Sequence, residues 1–334
     1  MNRNEAFRHL SARNFSEAER HFNIALAERQ RTAPETFQLL AGLSEAQRQQ
    51  GKLTEAEKTL NDASVLAESS NNQELKTRAL DATADFQLHR GDHIGAERTL
   101  LQLEALEQQH KNPDNRRMSS AARKLGTALS KTGRHAEALK AFERSAHLAE
   151  AAHGPEHLET ASALTELGAH YREAGQHQEA QRCLRRALKI HRATGGSDSA
   201  EATQNLFHLA TSLAESGDVE GAAAEYERVL ALRERQIGAD RAQTAETQAR
   251  LALIYLAGGR TSAARELLIH AIGVLDRGKG DPRLEFALET MAQVEDALHC
   301  PGEAARWRER AAESVAQRMP PPVPAASEDS TVLP

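Results

Sequence analysis

Three stretches of the sequence hold residue types that could do chemistry. Gly273-Val-Leu-Asp-Arg-Gly-Lys279 matches most of a phosphate-binding loop, whose glycines let backbone N–H groups cradle phosphates. The next residue is Gly280, so the hydroxyl that would hold magnesium is missing, and the surrounding pattern is helical where a strand should precede. His147, His153 and His157 lie close together, and three imidazoles could ligate zinc, but no Cys or carboxylate completes a known ligand spacing. Cys183 sits between Arg182 and Arg185-Arg186, where nearby positive charge would favour a thiolate. No histidine is paired with it in a recognised motif, so a buried, idle thiol is the expectation. No nucleophile elbow, HExxH or dinucleotide fingerprint occurs. The chain is expected to be no enzyme, with no catalytic residue, no metal and no cofactor.

The elements carrying these residues recur at a fixed period. Gly133-Arg-His-Ala-Glu-Ala138 returns as Gly175-Gln-His-Gln-Glu-Ala180, Gly217-Asp-Val-Glu-Gly-Ala222 and Gly259-Arg-Thr-Ser-Ala-Ala264, so successive alanines fall 42 residues apart. Gly51-Lys-Leu-Thr-Glu-Ala56 and Gly91-Asp-His-Ile-Gly-Ala96 fit at slightly shorter spacing. Arg13-Asn-Phe-Ser-Glu-Ala18 is a first copy without the glycine, and His299-Cys-Pro-Gly-Glu-Ala304 an irregular last one. Upstream of each copy, apolar residues recur at i, i+3, i+4 and i+7, as at Leu164, Leu167, Gly168 and Tyr171, which is one face of a helix. The glycine can take the left-handed conformation that ends that helix. The alanine opens a second helix where a small side chain permits close backbone approach. Further along come Phe142, Leu184, Tyr226 and Leu268, then Ala146, Ala187, Val229 and Ala271. Each copy therefore reads as an antiparallel helix pair that buries its apolar face only against its neighbours.

Leu167, Gly168, Tyr171, Ala180, Leu184 and Ala187 carry a pattern that resembles the tetratricopeptide repeat (TPR) family. The long period resembles its kinesin-light-chain type, as do Ala187-Leu188-Lys189-Ile190-His191 and the connectors Gly154-Pro-Glu-His-Leu-Glu-Thr-Ala161 and Gly238-Ala-Asp-Arg-Ala-Gln-Thr-Ala245. The resemblance implies an all-α fold, a right-handed α-α superhelix (TPR solenoid) of about eight helix-turn-helix repeats. The expected repeats are 1–32, 37–70, 77–110, 119–153, 161–194, 203–237, 245–277 and 285–317, in a single solenoid over 1–318. The Pro-rich segment 319–334 is expected to be a disordered tail, with a weak PxxP match at Pro321 to Pro324. The asparagine pairs that kinesin light chains place in their groove are replaced here by Thr165-Glu166, Phe207-His208 and Ala249-Arg250. The clamp that some TPR proteins use for a C-terminal carboxylate is absent, its positions holding Ala41 and Glu45, Asp81 and Asp85, Arg123 and Thr127.

The resemblance further implies that the first helices line an inner, concave face. Side chains there that do not pack the core form the candidate partner-binding set: Asp81, Asp85, Arg123, Thr127, Lys131, Thr165, Arg172, Phe207, Thr211 and Arg250, with Leu253 beside them. Glu45, Asp81 and Asp85 predict an acidic first stretch of groove, and Arg123, Lys124 and Lys131 a basic one after it, with Arg172 and Arg250 beyond. Phe207 stands at a position that is usually polar and could anchor a partner.

Composition sets the remaining bounds. Apolar residues make up 40% of the 334-residue chain but aromatics only 4%, so the core must be built mostly of Ala and Leu. A net charge of -6 and a pI near 6.2 argue against a nucleic-acid footprint or attraction to anionic lipid. The two cysteines, Cys183 and Cys300, form no disulfide framework. The opening MNRNEAFRHL lacks a signal-peptide core, and no apolar run reaches membrane-span length, so a soluble cytoplasmic protein is expected. The expected partner is a protein or peptide, with no nucleic acid and no membrane. Phe7, Phe15 and Phe22, if partly exposed, would offer a homodimer surface. The expected role is a non-enzymatic scaffold or adaptor that binds a peptide or protein segment in the groove. The alternative is a ligand- or peptide-responsive regulatory subunit controlling a partner enzyme or transcription factor.

Overall fold

The computed structural model describes residues 2–28, 31–278 and 280–318. Among them are sixteen α-helices and no strand, so the fold is all-α as expected. Tertiary contacts group the chain into two compact units that meet between Ala174 and Gly175, inside the fifth expected repeat. The first unit holds α1 (Asn2–Ser11), α2 (Phe15–Ala27), α3 (Ala33–Gln49), α4 (Leu53–Ser69), α5 (Gln73–Arg90), α6 (His93–Gln108), α7 (Asn115–Lys131), α8 (His135–His153) and α9 (Leu158–Glu173). The second holds α10 (His177–Ala193), α11 (Ala200–Glu215), α12 (Val219–Ile237), α13 (Ala242–Ala257), α14 (Thr261–Leu275), α15 (Pro282–Ala297) and α16 (Pro301–Arg318). Within each unit, sequence neighbours pack in order, α1 on α2, α3 on α4 and so on, and α11 on α12, α13 on α14, α15 on α16. The expected segment 319–334 lies outside the described residues.

The repeated turn has one geometry. Gly51, Gly91, Gly133, Gly175, Gly217 and Gly259 all have φ between 73° and 87°, the left-handed region that a residue with a Cβ enters at a cost. The residue after the glycine donates its N–H to a carbonyl five residues back, as in Asp92 to Gln87 (2.8 Å), Arg134 to Leu129 (2.9 Å), Asp218 to Leu213 (2.9 Å) and Arg260 to Tyr255 (2.7 Å). This is the Schellman closure of a helix end. The irregular first and last copies use the same conformation without glycine, with Arg13 at φ 57° and His299 at φ 59°. Asn14 to His9 (2.8 Å) and Cys300 to Glu295 (2.9 Å) complete the same bond there.

The alanine of each copy is where the two helices touch. Ala18, Ala56, Ala96, Ala180, Ala222, Ala264 and Ala304 are all 0% exposed. Phe142, Leu184, Tyr226 and Leu268 are buried behind them, as the pattern predicts. A second close approach lies on the first helices. A Cβ at Gly126 of α7 would stand 2.8 Å from the Phe142 ring of α8, inside van der Waals contact. Long connectors also share a geometry. Gly154 and Gly238 both have φ 96° with an extended ψ, and their carbonyls accept from Thr160 Oγ1 (2.7 Å) and Thr244 Oγ1 (2.8 Å). The two connectors quoted from the sequence are thus one motif, its threonine fully buried.

First helices mostly carry side-chain caps: Thr32 with Glu35 forms a capping box on α3, Asn72 caps α5, Asp114 caps α7 and Ser199 caps α11. Among the second helices α2, α4, α8, α10 and α14 have none, whereas Asp92 caps α6 and Asp218 caps α12. Of the N-terminal aromatics, Phe22 is 0% exposed and Phe7 packs edge-on to it at 5.0 Å, while Phe7 and Phe15 remain partly exposed.

Candidate functional site

Four of the predicted residues, Phe207, Thr211, Arg250 and Leu253, come together in the second unit. Arg250, Leu253, Ile254 and Ala257 follow i, i+3, i+4, i+7 spacing on α13, so one face of that helix presents all four. With Thr211 of α11, Tyr226 of α12 and Phe286 of α15 they line a recess of about 370 Å³ whose walls are mainly apolar. A space of that size holds one or two side chains of a bound segment.

The recess has a charged edge held in place by aromatic rings. The Arg250 guanidinium lies 5.4 Å from the Phe207 ring and 5.4 Å from the Phe286 ring. Its Nε is 3.4 Å from Glu246 Oε1, one turn back on the same helix. Arg233 covers the Phe207 ring at 4.5 Å, so that ring lies against two cations. Arg233 is 6% exposed and donates to the Gln243 carbonyl (2.6 Å) and Thr247 Oγ1 (2.7 Å). Burial pulls its pKa below the ordinary arginine value, and the Glu246 carboxylate opposes that shift. A guanidinium stays charged nonetheless, so a buried positive charge whose hydrogen-bond acceptors are neutral lies against the Phe207 ring. Tyr226 closes the floor. Its hydroxyl is 2.8 Å from Thr211 Oγ1, and burial pushes its pKa up.

Phe207 is therefore not a free anchor. It is 7% exposed, with its ring edge-on to Tyr226 at 5.8 Å. The expected hot-spot residue is a strut under Arg250, and the open apolar surface belongs to Leu253 and Phe286. Thr211 is likewise buried at 6%, its Oγ1 also donating to the Phe207 carbonyl (2.8 Å).

The first unit holds the other predicted residues, and much of their charge is met internally. Lys124 is 8% exposed, with its Nζ 2.7 Å from both Asp81 Oδ1 and Asp85 Oδ1. The expected acidic and basic stretches thus neutralise each other across α5 and α7, and Glu45 pairs with Arg48 at 2.6 Å. Arg123 is half-exposed, 3.8 Å from Glu166, whose own pKa burial raises. Arg123 lines a small polar cleft of about 120 Å³ with Arg116, Ser120, His153 and Ser162. Thr127 and Thr165 donate their hydroxyls to carbonyls one turn back, at 3.1 Å and 2.9 Å. Lys131 is exposed, and Arg172 lies 3.7 Å from Glu173.

The described residues of the three stretches with catalytic residue types lie on helices or at helix ends. Gly273 to Leu275 form the last turn of α14, and Lys279 lies outside the described residues. The His153 and His157 rings stack at 4.9 Å, and His157 Nδ1 accepts the Glu159 N–H (3.2 Å) as the cap of α9. Cys183 is a buried core residue of α10. Among the described residues no group of three His, Cys, Asp or Glu could hold a metal ion, and no helix is long and apolar enough to cross a membrane.

Sequence reading missed Phe286. At the 40-residue spacing from Ala264 to Ala304 the counterpart of Arg250 is Thr290, and Phe286 lies one turn before it, outside the positions read as groove-facing.

No curated protein matches the chain in sequence. Solved structures do resemble it. RapI in its apo form aligns at TM-score 0.74 and 11% identity, over 95% of this chain and 86% of its own. The apo quorum sensor NprR from B. thuringiensis aligns at 0.63 and 14%, over 94% and 87%. Nearly identical TPR-like repeats of kinesin light chain type from Podosopora anserina align at 0.54 and 22%, over 62% and 98%. Family models described as Tetratricopeptide repeat match residues 4–72, 117–193 and 199–277, together more than half of the sequence. With its repeated left-handed turns, buried alanines and stacked helix pairs, the chain belongs to the tetratricopeptide repeat family, whose members serve as protein-interaction scaffolds.

Proposed function

We propose that the recess of the second unit is where this scaffold takes its partner, and that the partner presents an extended segment with an apolar side chain next to a carboxylate. The observation that carries this reading is Arg250, set between Phe207 and Phe286 at the edge of an apolar cavity. A cation fixed by two rings loses little freedom on meeting a carboxylate, and the adjoining apolar wall rewards a side chain that leaves water. The buried charge of Arg233 adds to the attraction. Arg123 and Lys131 would supply further contacts in the first unit.

A peptide display library selected on the protein tests this. Selected sequences should pair an aliphatic or aromatic residue with Asp or Glu, and Leu253→Glu should abolish their binding while circular dichroism stays unchanged. Selected peptides that bind this variant as well as wild type would refute the assignment. A second reading makes the chain a peptide-responsive regulatory subunit for an enzyme or transcription factor. It takes its support from NprR, a quorum sensor on the same fold. Small-angle scattering with and without a selected peptide separates the two, because a sensor changes its dimensions and a passive scaffold does not.

A further inference from the structure

The helix α10 carries charge that the fold does not require. Arg182, Arg185, Lys189 and Arg192 are all exposed and follow 3-4-3 spacing, so they form one stripe along its solvent face. The stripe is about 15 Å long at the helical rise of ~1.5 Å per residue. Among the described residues none of the four forms an ion pair. Elsewhere in this chain exposed arginines at the turn within a repeat do find carboxylates, as Arg90 does Glu57 (2.6 Å), Arg134 does Glu97 (2.7 Å) and Arg260 does Glu227 (3.3 Å).

The fixed register supplies the control. One period back, on α8, the same four positions hold Lys140, Glu143, His147 and Glu150. One period on, on α12, they hold Ala224, Glu227, Ala231 and Glu234, and on α14 Glu266, Ile269, Gly273 and Asp276. The first position is basic on α8 as well, at Lys140, but no Lys or Arg stands at the other three on α8, α12 or α14. Arg185, Lys189 and Arg192, which with Arg182 have no ion pair among the described residues, are an addition to the repeat in a chain of net charge -6. The single carboxylate of the helix, Glu179, lies at its first turn.

We infer that the solvent face of α10 is a second docking surface, and that its partner is an acidic polypeptide helix. The spacing favours a helix, because carboxylates at i, i+3, i+7 and i+10 would each meet one cation. Two other anionic partners fit the structure less well. The helix has no Phe, Tyr or Trp on which a base could stack. Its apolar residues Cys183, Leu184, Ala187 and Ile190 are buried in the protein, so it has no apolar face to enter a bilayer. The surface is independent of the Arg250 recess.

The experiment is fluorescence anisotropy with a labelled alanine-based helical peptide bearing glutamates at that spacing. Wild type should bind it, and raising the salt from about 50 to about 300 mM should weaken binding several-fold. A quadruple variant, Arg182→Ala, Arg185→Glu, Lys189→Ala and Arg192→Glu, carries the residues that α12 already accepts. It should bind at least about tenfold more weakly, four exposed pairs each supplying a few-fold. A glutamine quartet at the same positions gives a second reading should the first variant misfold. Leu253→Glu should leave this binding intact, so failure here is distinct from failure of the recess. Equal affinity of wild type and the variants overturns the inference. So does the absence of binding, or tighter binding of wild type to duplex DNA or phosphatidylserine vesicles than to the peptide.

Discussion

Two glycines in helix interiors should respond to alanine with opposite signs. At Gly126 the new Cβ would lie 2.8 Å from Cε2 and Cζ of Phe142 and 2.9 Å from Cδ2. Ordinary carbon contacts are about 3.5–4.0 Å, so the ring must retreat by most of an ångström. It has nowhere to go. Phe142 is 2% exposed, and the His170 ring stacks on it at 3.8 Å between centroids. Overpacking of this kind costs about 1–3 kcal/mol, whereas glycine to alanine in a helix returns at most about 1 kcal/mol. The net expectation for Gly126→Ala is a loss of about 1–2 kcal/mol. Gly273 on α14 is exposed, and a Cβ there meets nothing within 4 Å. Gly273→Ala should therefore gain about 0.5–1 kcal/mol. Urea unfolding read by circular dichroism measures both, and fluorescence of Trp307 on α16 reports the second unit separately. If Gly126→Ala is as stabilising as Gly273→Ala, the Phe142 ring is free to move and the close helix approach is not what requires glycine.

Arg13 and His299 sit in the left-handed conformation that glycine occupies in the other copies, so Arg13→Gly and His299→Gly should each stabilise by about 0.5–1 kcal/mol in the same unfolding assay. Acid should weaken the second unit through His191. Burial pulls its pKa below the ordinary imidazole value, opposed by the nearby Glu201 carboxylate, and both ring nitrogens are buried without hydrogen-bond partners. A base with a depressed folded pKa contributes stability that is complete above the unfolded value of about 6.5 and is lost as pH falls through the folded one. The urea midpoint followed by Trp307 should drop between about pH 7.5 and 5.5, and His191→Leu should flatten that drop.

What was legible in the sequence was whatever the backbone or a single helix face decides. The left-handed glycine, the buried alanine and the apolar i, i+3, i+4, i+7 face each follow from local geometry, and the structure repeats them copy after copy. The shared Gly-to-Thr connector was also written in the spacing, since Gly154 to Thr160 and Gly238 to Thr244 match residue for residue. What was not legible was the choice of partners between neighbouring helices. Lys124 reads as a groove cation, yet it turns to Asp81 and Asp85 one first helix away. Phe207 reads as an exposed anchor, yet Arg233 and Arg250 cover its faces. Such contacts depend on rotamers and on the packing angle between helices, which periodicity does not encode. Phe286 was hidden for a simpler reason, because it lies one turn before Thr290, the α15 counterpart of Arg250.

The most direct test of the proposed recess is covalent mapping of a bound peptide. A selected peptide carrying a photo-reactive group in place of its apolar anchor is irradiated on the protein, and the labelled residues are identified by mass spectrometry. The reading of Arg250, Leu253 and Phe286 as the partner site predicts labels on α11, α13 and α15 around that recess, and their loss in Leu253→Glu. Labels confined to helices other than α11, α12, α13 and α15, or labelling unchanged in that variant, would contradict it.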